Sequence, residues 1–439
     1  MKLPKKLHII MLICSIVVLL FGCSRNKSAN KEMKSSLNNN IVNQETDGII
    51  NQKEQQDEEQ DKEQQVEEQK DNKQQDKEQS NSIINDKKDE SDTMLETGIK
   101  WEKETITVYK PNKGGVWYPR MYKLKDGTIL CGFDTNEDGG RAVIKIVSSK
   151  DGGITWSEKA IKGTNYPEYD CANANFIELD NGDIWLAYRA NVLNGEEYYS
   201  SIRINVSKDG GETWEPHSIV AEESGIGGVY EPQIGFIGKE VAVFYANDSL
   251  NVVKNNRQQN IEFKVWGGKT WSEKIIASDG TKTYSRDGMP VWCELDDHTY
   301  AMVIESTSLH PSYEFIIQMK TSPDGKDWSD KLENIYVPNK LTKKAGAPYI
   351  VKLNNGKLAV SFQTDEDATL TGDGYSKMKV MISTDNAGTE FLPSTSPFDT
   401  PDGYCSNWNG LLSYEDYLLA VTSTNFPNDS ILLRRGMVK

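Results

Sequence analysis

"SSKDGGITWSE", Ser148 to Glu158, and "VSKDGGETWEP", Val206 to Pro216, write one phrase twice in a single chain. A returning phrase signals a repeat architecture, so its period comes before any local reading. Around it lie short alternating runs rich in Val, Ile, Tyr and Trp, broken by Gly, Asn and Asp, which is the pattern of strands and tight turns. Aligned on those turns, six copies emerge: "PRMYKLKDGTILCGFDT" from Pro119, "ANFIELDNGDIWLAYR" from Ala174, "PQIGFIGKEVAVFYAND" from Pro232, "PVWCELDDHTYAMVIES" from Pro290, "PYIVKLNNGKLAVSFQT" from Pro348 and "WNGLLSYEDYLLAVTS" from Trp408. They recur at roughly 55 to 60 residues, a period of propellers and arrays. Each copy reads strand, turn (Asp126-Gly127, Asn355-Gly356), strand, which is a β-hairpin.

The Ser-x-Asp phrase follows a third strand, "RAVIKIV" or "SIRINV", so each unit holds about four strands, the blade of a propeller. The expected fold is all-β: a six-bladed β-propeller of four-stranded antiparallel blades over residues 96–439. A β-sandwich or β-helix would not need six hairpins on this period. "TITVY", Thr105 to Tyr109, precedes the first hairpin and is expected to pair with the last blade, leaving no open edge.

Ser-x-Asp-x-Gly-x-x-Trp resembles the Asp box, or BNR repeat, of sialidase-superfamily propellers. It is complete at Ser149, Asp151, Gly153, Trp156 and at Ser207, Asp209, Gly211, Trp214. It is shortened at "SPDGKDW", Ser322 to Trp328, and degraded at "WGGKTW", Trp266 to Trp271, and "STDNAGTEF", Ser383 to Phe391. Asp and Ser suit turn amides, Gly supplies an unusual backbone angle and Trp packs between strands. The phrase is therefore architectural, and its acids are not read as catalytic.

Residues 1–23 have a basic start (Lys2, Lys5, Lys6), an apolar run from Ile9 to Phe21 and then Gly22-Cys23, the layout of a secretory signal. "LFGC" resembles a bacterial lipoprotein box, which implies lipidation at Cys23; an ordinary cleaved signal is the alternative. Residues 24–95 collapse to Asn, Gln, Lys, Glu and Asp, too polar to offset their ordering entropy, and read as a disordered linker. Locally a charged solvated helix is the alternative. Together these segments predict a propeller tethered to the outer face of a bacterial membrane, touching it only through the lipid, and monomeric.

The net charge is -16, with 66 acidic against 50 basic residues, which argues against a nucleic-acid partner. Cys131, Cys171, Cys293 and Cys405 lack metal-ligand spacing and are expected to be free, buried thiols; four histidines add no metal motif. No metal or cofactor is implied.

Each hairpin turn lies at one end of its blade, so the start of the first strand and the end of the second meet at the other. That rim collects Tyr118, Arg120 and Asp134, then Asp170, Asn173, Asn175 and Arg189, then Tyr230, Glu231 and Asn247. The later copies add Arg286, Asp287 and Glu305, then Asp365, Tyr404, Trp408 and Asn425. Aromatic faces with convergent polar groups and acids suit an oligo- or polysaccharide. Glu231 in "GVYEPQI" and Glu305 in "AMVIEST" stand out, because glycoside hydrolysis needs two carboxylates, and an acid ending an apolar strand is costly without a role or partner.

"YEP", then "GMPV" (Gly288 to Val291) followed by "MVIE", and the late Tyr404 resemble glycoside hydrolase family 93. The resemblance implies an exo-acting, retaining enzyme on linear α-1,5-arabinan, with Glu231 and Glu305 as catalytic pair and Tyr404 beside the reacting sugar. Tyr118, Arg120, Asp134, Asn175, Arg189, Asn247, Arg286, Asp287, Asp365 and Trp408 are the expected substrate contacts. Glu305 is read as nucleophile and Glu231 as acid/base. An exo-sialidase would resemble this chain in fold, but "FYAND" and "KAGAPY" lack the arginines expected there to grip a carboxylate. A propeller that only binds glycan or protein is the third reading.

Overall fold

Two strands from the start of the described chain complete the last blade and close a ring of six sheets. The computed structural model describes residues 96–194, 197–255, 257–309 and 314–439; the leader 1–23 with Cys23 and the linker 24–95 lie outside them. β1 (Ile99–Trp101) and β2 (Ile106–Tyr109) both pair antiparallel with β24, so the closure expected of "TITVY" occurs and β1 extends it.

The first blade is β3 (Val116–Lys123), β4 (Ile129–Thr135), β5 (Val143–Ser149) and β6 (Ile161–Lys162). The second is β7 (Asp170–Glu178), β8 (Ile184–Asn194), β9 (Glu197–Ser207) and β10 (Glu215–Ser224). β11 (Val229–Ile237), β12 (Glu240–Asn247), β13 (Asn260–Val265) and β14 (Ile275–Ser278) make the third. A single helical turn, α1 (Gly280–Thr283), leads to the fourth: β15 (Gly288–Glu294), β16 (Tyr300–Ser306), β17 (Ile316–Ser322) and β18 (Glu333–Tyr336). The fifth is β19 (Ala345–Lys352), β20 (Leu358–Thr364) and β21 (Lys377–Ile382); the sixth is β22 (Ser406–Tyr414), β23 (Tyr417–Thr424) and β24 (Ser430–Val438). The fifth sheet departs from the expected four strands. Its outer strand shrinks to two isolated bridges, Ser383 to Phe391 and Val380 to Thr395, the second with N–H···O bonds of 2.8 Å in both directions. Pro393 and Pro397 flank that second bridge and cannot donate to a longer ladder.

The core lies between blades. Leu419, Val421, Ile431 and Leu433 of the sixth pack on Val116, Met121, Ile129 and Phe133 of the first, and comparable buried layers fill the other seams. The Asp boxes behave as predicted. Asp151 Oδ1 accepts the N–H of Ile154 (3.1 Å) and Thr155 (2.9 Å), Ser149 Oγ accepts that of Gly153 (2.9 Å), and Trp156 Nε1 donates to Gly153 O (3.1 Å). The second box repeats this at Ser207, Asp209, Gly211 and Trp214. The four cysteines among the described residues are free; Cys131, Cys171 and Cys405 are buried and Cys293 is half-buried.

Every inner strand carries a two-against-one bulge near its start, at Trp117/Arg120, Ala172/Asn175, Tyr230/Gln233, Gly288/Val291, Gly346/Tyr349 and Asn407/Gly410. The first bulged residue is left-handed in all six: Tyr118 (φ 55°), Asn173 (64°), Glu231 (55°), Met289 (50°), Ala347 (49°) and Trp408 (53°). None is glycine, so each stores about 1–3 kcal/mol of backbone strain, of the kind that clusters at functional sites.

Candidate active site

The bulges define two rings of positions at the end where the inner strands begin. One ring is the six left-handed residues. The other is the residue of the second strand paired just ahead of each bulge: Asp134, Arg189, Ala246, Glu305, Gln363 and Ser423. Glu231 belongs to the first ring and Glu305 to the second, on neighbouring blades.

A bulge frees the N–H of its left-handed residue from the ladder, and acceptors from neighbouring blades capture it. Asp134 Oδ1 takes the N–H of Asn173 (2.9 Å), Glu231 Oε2 that of Met289 (3.0 Å), Glu305 Oε2 that of Ala347 (2.8 Å) and Gln363 Oε1 that of Trp408 (2.8 Å). Both glutamates are thereby fixed to the following blade while staying half-buried rather than sealed. Gly288 and Gly346 make the notch for Glu305, since a Cβ on the first would stand 3.0 Å from Oε1 and on the second 2.8 Å from Oε2.

Burial raises both carboxyl pKa values. For Glu231 the rise is opposed by the Met289 N–H and by the Arg189 and Arg286 guanidiniums. Glu305 is pushed up to about 8, first by burial and then by the negative charge of Glu231; the Ala347 N–H and Arg286 oppose this only in part. Unequal proton affinity in neighbouring carboxyls is what separates an acid from a nucleophile. Asp134 is likewise raised well above the ordinary range by burial, with Arg189 opposing.

Tyr118, Met289 and Ala347 are buried together, with Trp117 and Trp408 against them, as an apolar floor where the inner strands converge. Trp408 is half-buried, and its ring lies 6.2 Å from that of Tyr118. Arg189 stands 5.9 Å from the Tyr230 ring centre. Arg286 donates to Gln259 Oε1 at 2.8 Å and lies 3.7 Å from Asp248.

The remaining expected residues stand outside the two rings of positions. Arg120 is 2% exposed beneath the floor: its Nη1 donates to the carbonyls of Pro119, Trp408 and Asn409, and its guanidinium stacks 3.9 Å from the Tyr118 ring centre. It props the floor through Nη1, while its buried Nη2 has no hydrogen-bond partner among the described residues. Asn247 follows the ring position Ala246 and so turns to the other face of its strand, donating to Glu223 (3.3 Å) and Glu262 (3.1 Å). Asp287 is fully buried, accepting from Ser278 (2.7 Å) and Ser306 (3.1 Å). Asp365 ties its own loop to the start of β19, accepting the N–H groups of Gly372 (2.8 Å) and Lys344 (2.9 Å). Asn175 is buried on β7, beyond its bulge. Tyr404 stands half-buried on the segment before β22, its ring edge-on to Phe426 at 5.0 Å.

Three site residues escaped the sequence reading. Asp248 accepts the Gly228 N–H (2.9 Å), Gln259 orients Arg286, and Asp373, which pairs with buried Lys344 at 3.0 Å, adds negative charge near Glu305. Lys344 immediately precedes "AGAPY", where a buried cation was a usable signal; Asp373 sits in a loop with no pattern. Among the described residues no group of three His, Cys, Asp or Glu could hold a metal ion, and no helix is long and apolar enough to cross a membrane.

A family model for the BNR repeat-like domain matches residues 127–395, and the chain belongs to that family. Among solved structures it is similar to the GH93 α-L-arabinofuranosidase of Fusarium graminearum in complex with arabinobiose, at 20% identity and TM-score 0.60, over 75% of this chain and 96% of that one. The α-L-arabinanase of Penicillium chrysogenum complexed with arabinobiose aligns at 18% identity and TM-score 0.57, over 75% and 97%. The NanB sialidase of Streptococcus pneumoniae aligns at 13% identity and TM-score 0.53, over 76% and 70%. These likenesses show the shared fold. No curated protein matches the sequence.

Proposed function

We propose that this propeller is a glycoside hydrolase that works from the end of a neutral glycan, linear α-1,5-arabinan first, and retains anomeric configuration. One observation carries the reading: Glu231 and Glu305 occupy ring positions on neighbouring blades, each fixed by a main-chain N–H and each with its pKa raised by burial. The GH93 arabinofuranosidase and the arabinanase with arabinobiose among the similar structures support the substrate class. The exo mode and retention rest on the sequence resemblance. Arg120 is 2% exposed with Nη1 engaged by three carbonyls, and neither "FYAND" nor "KAGAPY" supplies another arginine, which counts against a carboxylate-gripping sialidase.

The electrostatics favour reversing the roles expected from sequence. Arg189 and Arg286 both oppose the rise at Glu231, whereas at Glu305 Arg286 is countered by the charge of Glu231; on that arrangement of charges Glu231 takes the nucleophile's part and Glu305 serves as acid/base. A sugar ring would rest on Trp408 and Tyr118, with Tyr404 at the rim. The leader and Cys23 further support placing the propeller outside the cell on a lipid anchor, which metabolic palmitate labelling of the wild-type chain and a Cys23→Ala variant would test. A paired assay on linear arabinan and sialyllactose tests the activity: arabinan turnover supports the proposal, and sialic acid release without action on arabinan overturns it.

A further inference from the structure

At the end of the propeller opposite the glutamates, the third Asp box has lost its Ser and Asp and reads "WGGKTW". In the first, second and shortened boxes the tryptophan turns inward and donates to a glycine carbonyl of its own box. Trp271 instead donates to Ser218 Oγ on the outer strand of the second blade, at 3.0 Å. Trp266, where the box begins, bridges back to Trp271 with ring centres 5.2 Å apart. His217 stands 5.2 Å from Trp266 at 62°, and both rest on buried Trp185, at 4.3 Å and 5.6 Å. The seam between the second and third blades thus carries an aromatic corner whose His217 is exposed and whose tryptophans are half-buried. The Trp266 indole N–H donates to no described residue and is not sealed from water.

We propose that Trp266, Trp271 and His217 form a second carbohydrate site that takes a neutral glycan chain. Two rings meeting at a steep angle offer one face for the apolar side of a sugar and a second ring for its edge, and the open indole N–H offers a donor for a hydroxyl. The flanking charges are balanced: Lys208 pairs with Glu215 at 3.0 Å, and Lys208 and Asp183 are the charges that act on His217. Lys269 inside the box and Glu273 just beyond it, both exposed, are likewise of opposite sign. Partial desolvation against Trp185 and the positive charge of Lys208 lower the pKa of His217, which favours the neutral ring for stacking. The two flanking glycines, Gly267 and Gly268, are exposed and leave the approach open. Two sites at opposite ends would let the protein hold a polymer while its end is worked on elsewhere, a gain by effective concentration.

The test uses the full chain with Glu231→Gln and Glu305→Gln together, so that binding is read without hydrolysis and independently of the proposed activity. Affinity electrophoresis in gels containing linear arabinan, and separately linear galactan, gives the retardation. Trp266→Ala and His217→Ala are each expected to weaken it about two- to tenfold, the worth of one stacking contact, and Trp266→Phe to restore most of it. Retardation by neither polymer, or retardation that survives both alanine substitutions, overturns the proposal. So does concentration-dependent self-association that Trp266→Ala abolishes, because the corner is then a contact between copies.

Discussion

Gly346 faces the carboxylate of Glu305 across the seam between the fourth and fifth blades, and a Cβ on that glycine would stand 2.8 Å from Oε2. Its backbone is not left-handed, so alanine fits the strand but not the space. Gly346→Ala is expected to lower kcat/KM for an aryl arabinoside by about a hundredfold, the cost of a misplacement near 1 Å, while thermal unfolding moves little. Measuring both on one preparation separates a displaced acid from a damaged fold.

The two glutamates should answer differently to truncation. With an aryl arabinoside whose leaving group needs no proton, Glu305→Ala is expected to keep the first step and to recover turnover with added azide. Glu231→Ala should lose at least about a hundredfold, and azide should return a product of inverted configuration. Product anomer analysis by NMR reads the outcome; the opposite pattern restores the roles expected from sequence.

The pH profile follows from the same pair. Glu305 must be protonated to donate, so activity should fall as pH rises through about 8. Glu231 must be ionised to attack, and its raised pKa puts the acid limb above the ordinary glutamate range. Stability carries a matching sign. A carboxyl whose pKa is higher folded than unfolded binds more protons in the folded state, so its contribution declines as pH rises from the ordinary value toward the folded one. Glu305→Gln should therefore stabilise the protein more at pH 8 than at pH 5, by on the order of 1 kcal/mol or more, measured by denaturant unfolding at both.

Asp151 should matter to stability and not to chemistry. It accepts two backbone N–H groups and the Thr155 hydroxyl at the far end from the glutamates, and these bonds hold its pKa near 2. Asp151→Ala is expected to cost about 1 kcal/mol, the net worth of a lost hydrogen bond, with kcat/KM unchanged. In the wild type, the stabilisation from this group should fade as pH drops from the ordinary Asp value through about 2.

Chain closure offers a further check. A chain beginning at Glu96 keeps β1 and β2 and should unfold cooperatively; one beginning at Lys110 loses both and leaves β24 as an open edge. Circular dichroism melts and size-exclusion chromatography should show the second destabilised and self-associating.

The hairpins were legible because period-two alternation and Asn-Gly or Asp-Gly turns are local signals, and the closing strand followed from the open edge it repairs. The bulges were not. Their one residue-level hint is the proline after the left-handed residue in four copies, Pro119, Pro232, Pro290 and Pro348. Without the bulge, counting along "FYAND" stops at Asn247 when the ring position is Ala246, and one residue is enough to change faces. Arg120 misled for a different reason. It stands near the rim in sequence, but the bulge at Tyr118 and Pro119 turns it beneath the floor.

The capture of a freed N–H by a neighbouring blade joins architecture to chemistry in one atom. Asp134 and Gln363 make the same clasp as Glu305, at the same register, on the blades where no catalytic acid is proposed. An acid at such a position therefore enters the fold first as a fastener. It needs only a change of surroundings, not of backbone, to become a reagent. Propellers of this build can trade chemistry from blade to blade by substitutions at twelve addresses, and the strand ladders that hold the ring together need never be rewritten.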